Sequence, residues 1–357
     1  MILRIRNFDW ILLTSIIVVA FASLITLVSS DVNSFWRQLI WYILVFIVIF
    51  FGVHLDWRWL GGQSWFRNGL YWFSVVLLVL SNLQLRTVRG TRSWLFLGSF
   101  QFEPVELAKL ALILLLADFF SRRHISAWQG RNILSSFIYT LIPTFLVLIH
   151  PDFGSAVVLA GIWVGFLMLS GINKKRFLIG FVIVILLGVV IWMFFLKSYQ
   201  QDRLLGFIFP EHDPLGINYN VNQSKIAIGS AGLWGKGFGG GTQVQLGFLP
   251  AAQTDFIFAA FVEEWGFIGG AVIVLTYLII MYRLINTGLK ARDNYSRFIV
   301  LGGVLFLAIH FFINLGSNLG FMPVTGIPLP FFSYGGSNLL TMAILIGIIG
   351  HIKLESR

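Results

Sequence analysis

Chemistry in this chain rests on a handful of charges set in apolar surroundings. Glu106 and Lys109 stand in Glu103-Pro104-Val105-Glu106-Leu107-Ala108-Lys109, at the head of an apolar run. Pro104 suits the first turn of a helix. Three residues apart, Glu106 and Lys109 share a helix face and can pair. A charge within hydrocarbon costs at least about 2.5 kcal/mol, which makes such a residue functional by default. The pair serves either as a polar contact at the rim of a substrate cavity or as a salt bridge fixing two helices, and both can hold. Asp255, in Leu249-Pro250-Ala251-Ala252-Gln253-Thr254-Asp255-Phe256-Ile257-Phe258, is a carboxylate followed by an apolar, aromatic run. At a membrane surface, partial desolvation would make it a useful base; a helix N-cap is the plainer reading. Asp152, in His150-Pro151-Asp152-Phe153-Gly154, sits in a very short turn and reads first as a cap for the following helix. Glu263 and Glu264 add acid, but adjacent residues point apart, so at most one faces a shared cavity.

Positive charge that could meet a diphosphate comes from Arg86, Arg89 and Arg92, since guanidinium binds phosphate bidentately. Ordinary phospholipid headgroups would satisfy the same arginines by snorkelling. Gly235-Lys236-Gly237-Phe238-Gly239-Gly240 fits the glycine spacing of a dinucleotide loop, yet no strand precedes it and no βαβ unit can hold the ligand. The six histidines are scattered, and none pairs with another at metal-ligand spacing. His310 reads as a buried hydrogen-bonding side chain. Zero cysteines exclude disulfides, thiolate metal sites and cysteine nucleophiles.

The elements that position these residues follow from composition. Of the 357 residues, 57% are hydrophobic and 11% charged, against about 45–50% and about 25% in soluble domains. Twenty-five basic and 15 acidic side chains cannot clothe a soluble protein of this size. The expected fold class is an all-α polytopic membrane protein of about ten transmembrane helices, each needing about 20 apolar residues. The apolar runs fall at 10–27, 38–53, 68–83, 104–120, 133–149, 155–170, 177–196, 261–281, 298–315 and 339–351. The first resembles a secretory signal but continues too far, so it is read as an uncleaved span.

Lys and Arg fall about two to one on the side that carries the N-terminus, which places both termini in the cytoplasm. The net charge of +10 is thus mostly topology and implies no nucleic-acid partner. Residues 197–260 form one large extracellular loop, expected to fold as a lid or re-entrant element because residues 221–233 carry apolar side chains at helical spacing. No internal repeat is visible, which disfavours the common transporter folds.

One long stretch is more specific than any of these. Gly320-Phe321-Met322-Pro323-Val324-Thr325-Gly326-Ile327-Pro328-Leu329-Pro330-Phe331-Phe332-Ser333-Tyr334-Gly335-Gly336-Ser337 resembles the signature of the SEDS family (shape, elongation, division and sporulation). Gly90-Thr91-Arg92-Ser93-Trp94, the Glu103 to Lys109 segment, Pro151-Asp152-Phe153-Gly154, Ile226-Ala227-Ile228-Gly229-Ser230 and the Asp255 segment join it in the family's order. The resemblance covers essentially the whole chain as a single domain, 1–357. It implies a peptidoglycan glycosyltransferase that polymerises lipid II at the outer face of the bacterial cytoplasmic membrane for cell elongation and rod shape. It also implies a class B penicillin-binding protein (a transpeptidase) as partner and membrane lipid as surroundings; a lipid II flippase is the alternative. Carried over, Asp255 is the catalytic residue, and Arg92, Glu106, Lys109 and Asp152 bind substrate. No cofactor is required, though a divalent cation can be accommodated. The chain departs from the family pattern at Glu103 and Val105, at Ser93 in place of a second arginine, and at Ala251-Ala252-Gln253; the last two leave Asp255 the stronger catalytic candidate.

Overall fold

The computed structural model describes residues 9–84, 93–97, 100–123, 129–171, 198–209 and 218–355, with 180, 182, 188, 189, 192, 193 and 216 besides. It is mostly helical. The helices are α1 (Trp10–Ser30), α2 (Val32–His54), α3 (Trp57–Gly62), α4 (Ser64–Leu83), α5 (Pro104–Arg123), α6 (Gly130–Ile149), α7 (Phe153–Leu169), α8 (Ser198–Ile208), α9 (Tyr219–Ser230), α10 (Thr242–Gln245), α11 (Ile257–Leu289), α12 (Asn294–Leu319) and α13 (Gly336–Glu355). Among the described residues, six are long and apolar enough to cross a membrane: α1, α2, α6, α11, α12 and α13. The 20-residue helices α4 and α5 match two further expected spans but carry Arg67, and Glu106, Lys109 and Asp118, respectively. Helix α7 is apolar but shorter. The expected span at 177–196 lies largely outside the described residues.

Caps explain where several helices begin. The Asp9 carboxylate accepts the Leu12 N–H at 3.1 Å at the head of α1 and also takes the Arg283 guanidinium at 2.8 Å. Asp152 caps α7, accepting the Ser155 N–H at 3.0 Å. An element absent from the sequence reading is a two-stranded antiparallel ribbon, β1 (Leu95–Leu97) and β2 (Phe100–Phe102), in register Leu95 to Phe102 and Leu97 to Phe100. The Gln84 side chain ties it down by accepting the Phe96 N–H at 3.1 Å.

The chain divides into two units. One comprises Met1–Phe50, Tyr199–Arg283 and His310–Ile344; the other comprises Phe51–Ser198, Leu284–Ile309 and Leu345–Arg357. In the second unit α5 is buried on nearly every face, packing against α4, α6 and α7. Phe120 stacks on Phe166, which stacks in turn on Phe298, with ring centroids 5.9 and 6.0 Å apart. Such offset aromatic packing adds about 0.5–1.5 kcal/mol per pair beyond the buried area.

The first unit holds an unusual length of irregular backbone, residues 326–335, ending at α13. Non-helical backbone at membrane depth is tolerated only where its polar groups are satisfied. Here side chains from surrounding helices satisfy one carbonyl after another. Asn314 Nδ2 donates to Ile327 O at 2.9 Å, Tyr277 Oη to Pro330 O, Tyr42 Oη to Phe331 O at 2.8 Å and Gln38 Nε2 to Ser333 O at 3.2 Å. His310 Nδ1 lies 3.1 Å from Pro328 O. A carbonyl only accepts, so His310 carries its proton on Nδ1, as the sequence reading of a buried hydrogen-bonding histidine expects.

Helix α11 is interrupted. At Gly266 the backbone takes φ 68° and ψ −173°, well outside helical values. The stretch from Gly232 to Gly237 seats on the break. The amides of Lys236 and Gly237 donate to the carbonyls of Glu263 and Glu264, both at 3.0 Å, while the amides of Phe267 and Ile268 donate to Gly232 O and Leu233 O at 2.9 and 3.2 Å. Gly266 and Gly235 lie back to back: a Cβ on either would collide with the other's main chain. The glycine run that mimics a dinucleotide loop is therefore a plug for a broken helix.

Candidate functional site

Asp255 lies in the turn just before α11 and is partly exposed. Its position is set by main-chain contacts on three successive carbonyls. Gln253 O accepts the Tyr334 N–H at 3.0 Å, and Thr254 O accepts the Ser333 hydroxyl at 2.7 Å. Asp255 O accepts two side-chain amides, from Asn314 at 3.0 Å and Asn318 at 2.9 Å. Asn318 is fully buried and also accepts the Ala259 N–H at 3.2 Å, while its own carbonyl accepts the Ser224 hydroxyl of α9 at 2.8 Å. Each such bond contributes about 1 kcal/mol net, and losing a buried partner costs more. Beneath the turn, Ala227, Leu249, Ala252, Phe256, Ala259 and Ala260 form a buried apolar cluster. The residues after Asp255 are thus turned inward, with Phe256 only 1% exposed.

The irregular 326–335 segment closes the other side of the turn. A Cβ placed on Gly326 would stand 4.0 Å from Asp255 Oδ2, so this main chain runs past the carboxylate. Immediately before it, Met322, Pro323 and Val324 line an open groove with Gly206, Phe207, Asn218, Val221, Asn222 and Lys225. Lys225 reaches across Gly320 at its edge. The sequence does not single out Lys225, because nothing local marks an exposed helical lysine as part of a groove. Asn314, Asn318, Tyr277, Tyr42 and Gln38 were also missed, because each acts on backbone far away in sequence.

Glu263 and Glu264 are both engaged by the 236–244 loop. Glu263, fully buried, accepts Lys236 Nζ at 2.7 Å and the Gln243 and Val244 amides at 2.9 and 3.3 Å, so it caps α10. Glu264 Oε1 accepts the Ser29 hydroxyl and the Gly239 amide, the latter at 3.2 Å.

In the second unit, Glu106 and Lys109 form a direct pair, Nζ to Oε1 2.7 Å, with each side chain 1% exposed. Lys109 Nζ also lies 5.9 Å from the centre of the Phe306 ring, within cation–π range. Glu106 occupies the first turn of α5, where a negative charge suits the helix dipole. Asp152 is engaged as the cap of α7. Arg92, with Arg86 and Arg89, lies outside the described residues.

Comparison with known proteins accounts for this combination. A family model for the FtsW, RodA and SpoVE group, described as cell cycle proteins, matches residues 3–357. The peptidoglycan glycosyltransferase MrdB of Escherichia coli (strain K12) is 37% identical over 288 residues, covering 81% of this chain and 78% of that protein. Stage V sporulation protein E of Bacillus subtilis (strain 168) is 34% identical over 325 residues, covering 90% and 87%. Among solved structures, a chain from a study of polymerization and crosslinking by a peptidoglycan synthase complex superposes with a TM-score of 0.84 at 32% identity, covering 98% of each chain. The crystal structure of the Thermus thermophilus rod shape determining protein RodA gives a TM-score of 0.71 at 28% identity, covering 97% of this chain and 96% of that one. The chain belongs to the FtsW/RodA/SpoVE family of cell cycle proteins.

Proposed function

We propose that the chain is a peptidoglycan glycosyltransferase that polymerises lipid II into glycan strands at the outer face of the bacterial cytoplasmic membrane, in cell elongation and rod shape. The observation that carries the reading is the Asp255 turn: a partly exposed carboxylate whose three local carbonyls are pinned by Tyr334, Ser333, Asn314 and Asn318. A general base gains most from this kind of preorganisation.

The reaction joins a sugar 4-hydroxyl to an anomeric carbon that carries a polyprenyl diphosphate. Asp255 accepts the hydroxyl proton as the oxygen attacks, and the carbon–oxygen bond to the diphosphate breaks. The departing group carries the electron pair away and needs positive charge beside it. Arg92 or Lys109 supplies it, Lys109 being held in orientation by Glu106. Lys225, at the edge of the groove that shares the 320–326 segment with Asp255, is a further cation for the same charge. Asp152, the cap of α7, takes part in substrate binding. The chain works as one domain of ten spans with both termini cytoplasmic and residues 197–260 outside. A class B penicillin-binding protein crosslinks the strands it makes.

Polymerisation of lipid II by purified protein in liposomes tests the proposal. Glycan chains from the native protein and none from Asp255→Asn support it; full activity in Asp255→Asn removes the base assignment. Lipid II translocation without chain formation would install the flippase reading instead. Co-purification with a class B penicillin-binding protein, and faster polymerisation with it, checks the partner.

A further inference from the structure

In the second unit, three side chains that the glycosyl transfer does not use converge on one point. His351 and Glu355 lie one turn apart in the last turns of α13, and Asp56 stands at the corner between α2 and α3. One ligand atom from each lies within 4.8 Å of the others. No sequence spacing reveals this, because Asp56 is far along the chain from its companions.

His351 carries the argument. The residue is 4% exposed, and its Nδ1 lies 3.2 Å from Val53 O. The carbonyl can only accept, so Nδ1 carries a proton, and Nε2 is the ring atom turned toward the carboxylates. Nε2 is buried and has no hydrogen-bond partner. It faces Glu355 Oε2 at 3.4 Å and Asp56 Oδ1 at 3.9 Å. Two carboxylates converging on one ring nitrogen call for a positive centre there, supplied by a proton on Nε2 or by a bound cation.

Both separations exceed the 2.7–3.2 Å of an ordinary N–H···O bond. Metal–ligand bonds of about 2.0–2.2 Å at tetrahedral angles put ligand atoms about 3.3–3.6 Å apart. The His351–Glu355 separation already has that value; Asp56, 66% exposed with Oδ1 accepting the Trp59 N–H at 3.0 Å, closes the remainder by a side-chain rotation that gives up this bond. The N–H to carbonyl bond on the far ring nitrogen is the outer contact that fixes metal-binding histidines.

We propose that Asp56, His351 and Glu355 bind one divalent transition-metal cation of the zinc type, which ties the end of α13 to the α2–α3 corner. One imidazole nitrogen and two carboxylate oxygens suit Zn²⁺, with water in the fourth position. Mg²⁺ and Ca²⁺ favour shells of six or more oxygens.

The test uses the full-length protein in detergent, stripped with a chelator and titrated with Zn²⁺ against a chromophoric competitor. Co²⁺ replaces Zn²⁺ in a parallel titration followed by visible absorption. The expected result is one saturable equivalent, a tetrahedral Co²⁺ spectrum, and a thermal midpoint that rises with Zn²⁺ as binding to the folded state requires. Asp56→Asn and Glu355→Gln should each weaken Zn²⁺ binding at least about tenfold, and His351→Gln should abolish it. Should His351→Gln fail to fold, the exposed Asp56 decides the matter. Absence of a saturable equivalent, or equal affinity in the native protein and in both carboxylate variants, overturns the site.

Discussion

Asp255 and Glu106 are two carboxylates held in opposite ways. Glu106 is immobilised through its side chain: it and Lys109 are each 1% exposed and satisfy one another at 2.7 Å. Asp255 is immobilised through its main chain, by bonds to the carbonyls of residues 253, 254 and 255, and its side chain stands at a partly exposed turn. The first arrangement uses the charge to hold structure. The second uses structure to hold the charge. A base that must gain and lose a proton in each turnover is served by the second, since neutralising the carboxylate with a fixed cation would lower its basicity.

Substitutions test this contrast, and the largest effect belongs to Asp255→Asn. Polymerisation should fall about 100-fold or more, with little change in thermal midpoint because the bonds from Tyr334, Ser333, Asn314 and Asn318 end on main chain. A large loss of stability would mean that the Asp255 side chain is structural, like that of Glu106. Next comes Lys109→Met, which strands a buried carboxylate and should cost about 3–5 kcal/mol of stability, read as a lower midpoint in detergent. Combining it with Glu106→Leu should restore most of that. Polymerisation should fall as well, since Lys109 also serves the diphosphate; if it falls at an unchanged midpoint, the pair holds no structure and the contrast fails. Asn318→Ala should cost about 1–3 kcal/mol and lower kcat more than it raises KM, because it loosens the Asp255 turn; Asn314→Ala should do less. The smallest effect is expected of exposed Lys225→Ala: no change in midpoint and a KM for lipid II raised about fivefold, equivalent to about 1 kcal/mol.

The two arrangements were not equally legible in the sequence. Glu106 and Lys109 pair within one helical turn, and a spacing of three announces that locally. The cap at Asp152 is local too. Asp255 stood out only through its acidic placement before an apolar run and through family resemblance, because what fixes it comes from Asn314, Asn318, Ser333 and Tyr334, brought close by folding. The same reason hid the donors to the 326–335 carbonyls: Gln38, Tyr42 and Tyr277 look like ordinary polar residues of apolar helices. The β1–β2 ribbon escaped because its three-residue strands are too short for period-two alternation to register. The break at Gly266 escaped because a single glycine in an apolar helix is commonplace. What makes this one a break is the plug from Gly232 to Gly237.

That plug bears on whether the protein could move an ion or a substrate through itself. Transporters with discontinuous helices leave the half-helix ends open, so that the positive end cradles anions and bare carbonyls coordinate cations at mid-membrane. At Gly266 the two carbonyls and two amides flanking the interruption are already bonded to the chain's own loop. The dipole ends face backbone rather than cargo. Helix α11 is thus interrupted without being opened, and it acts as an anchor for the 232–237 loop where a transporter would have a binding step.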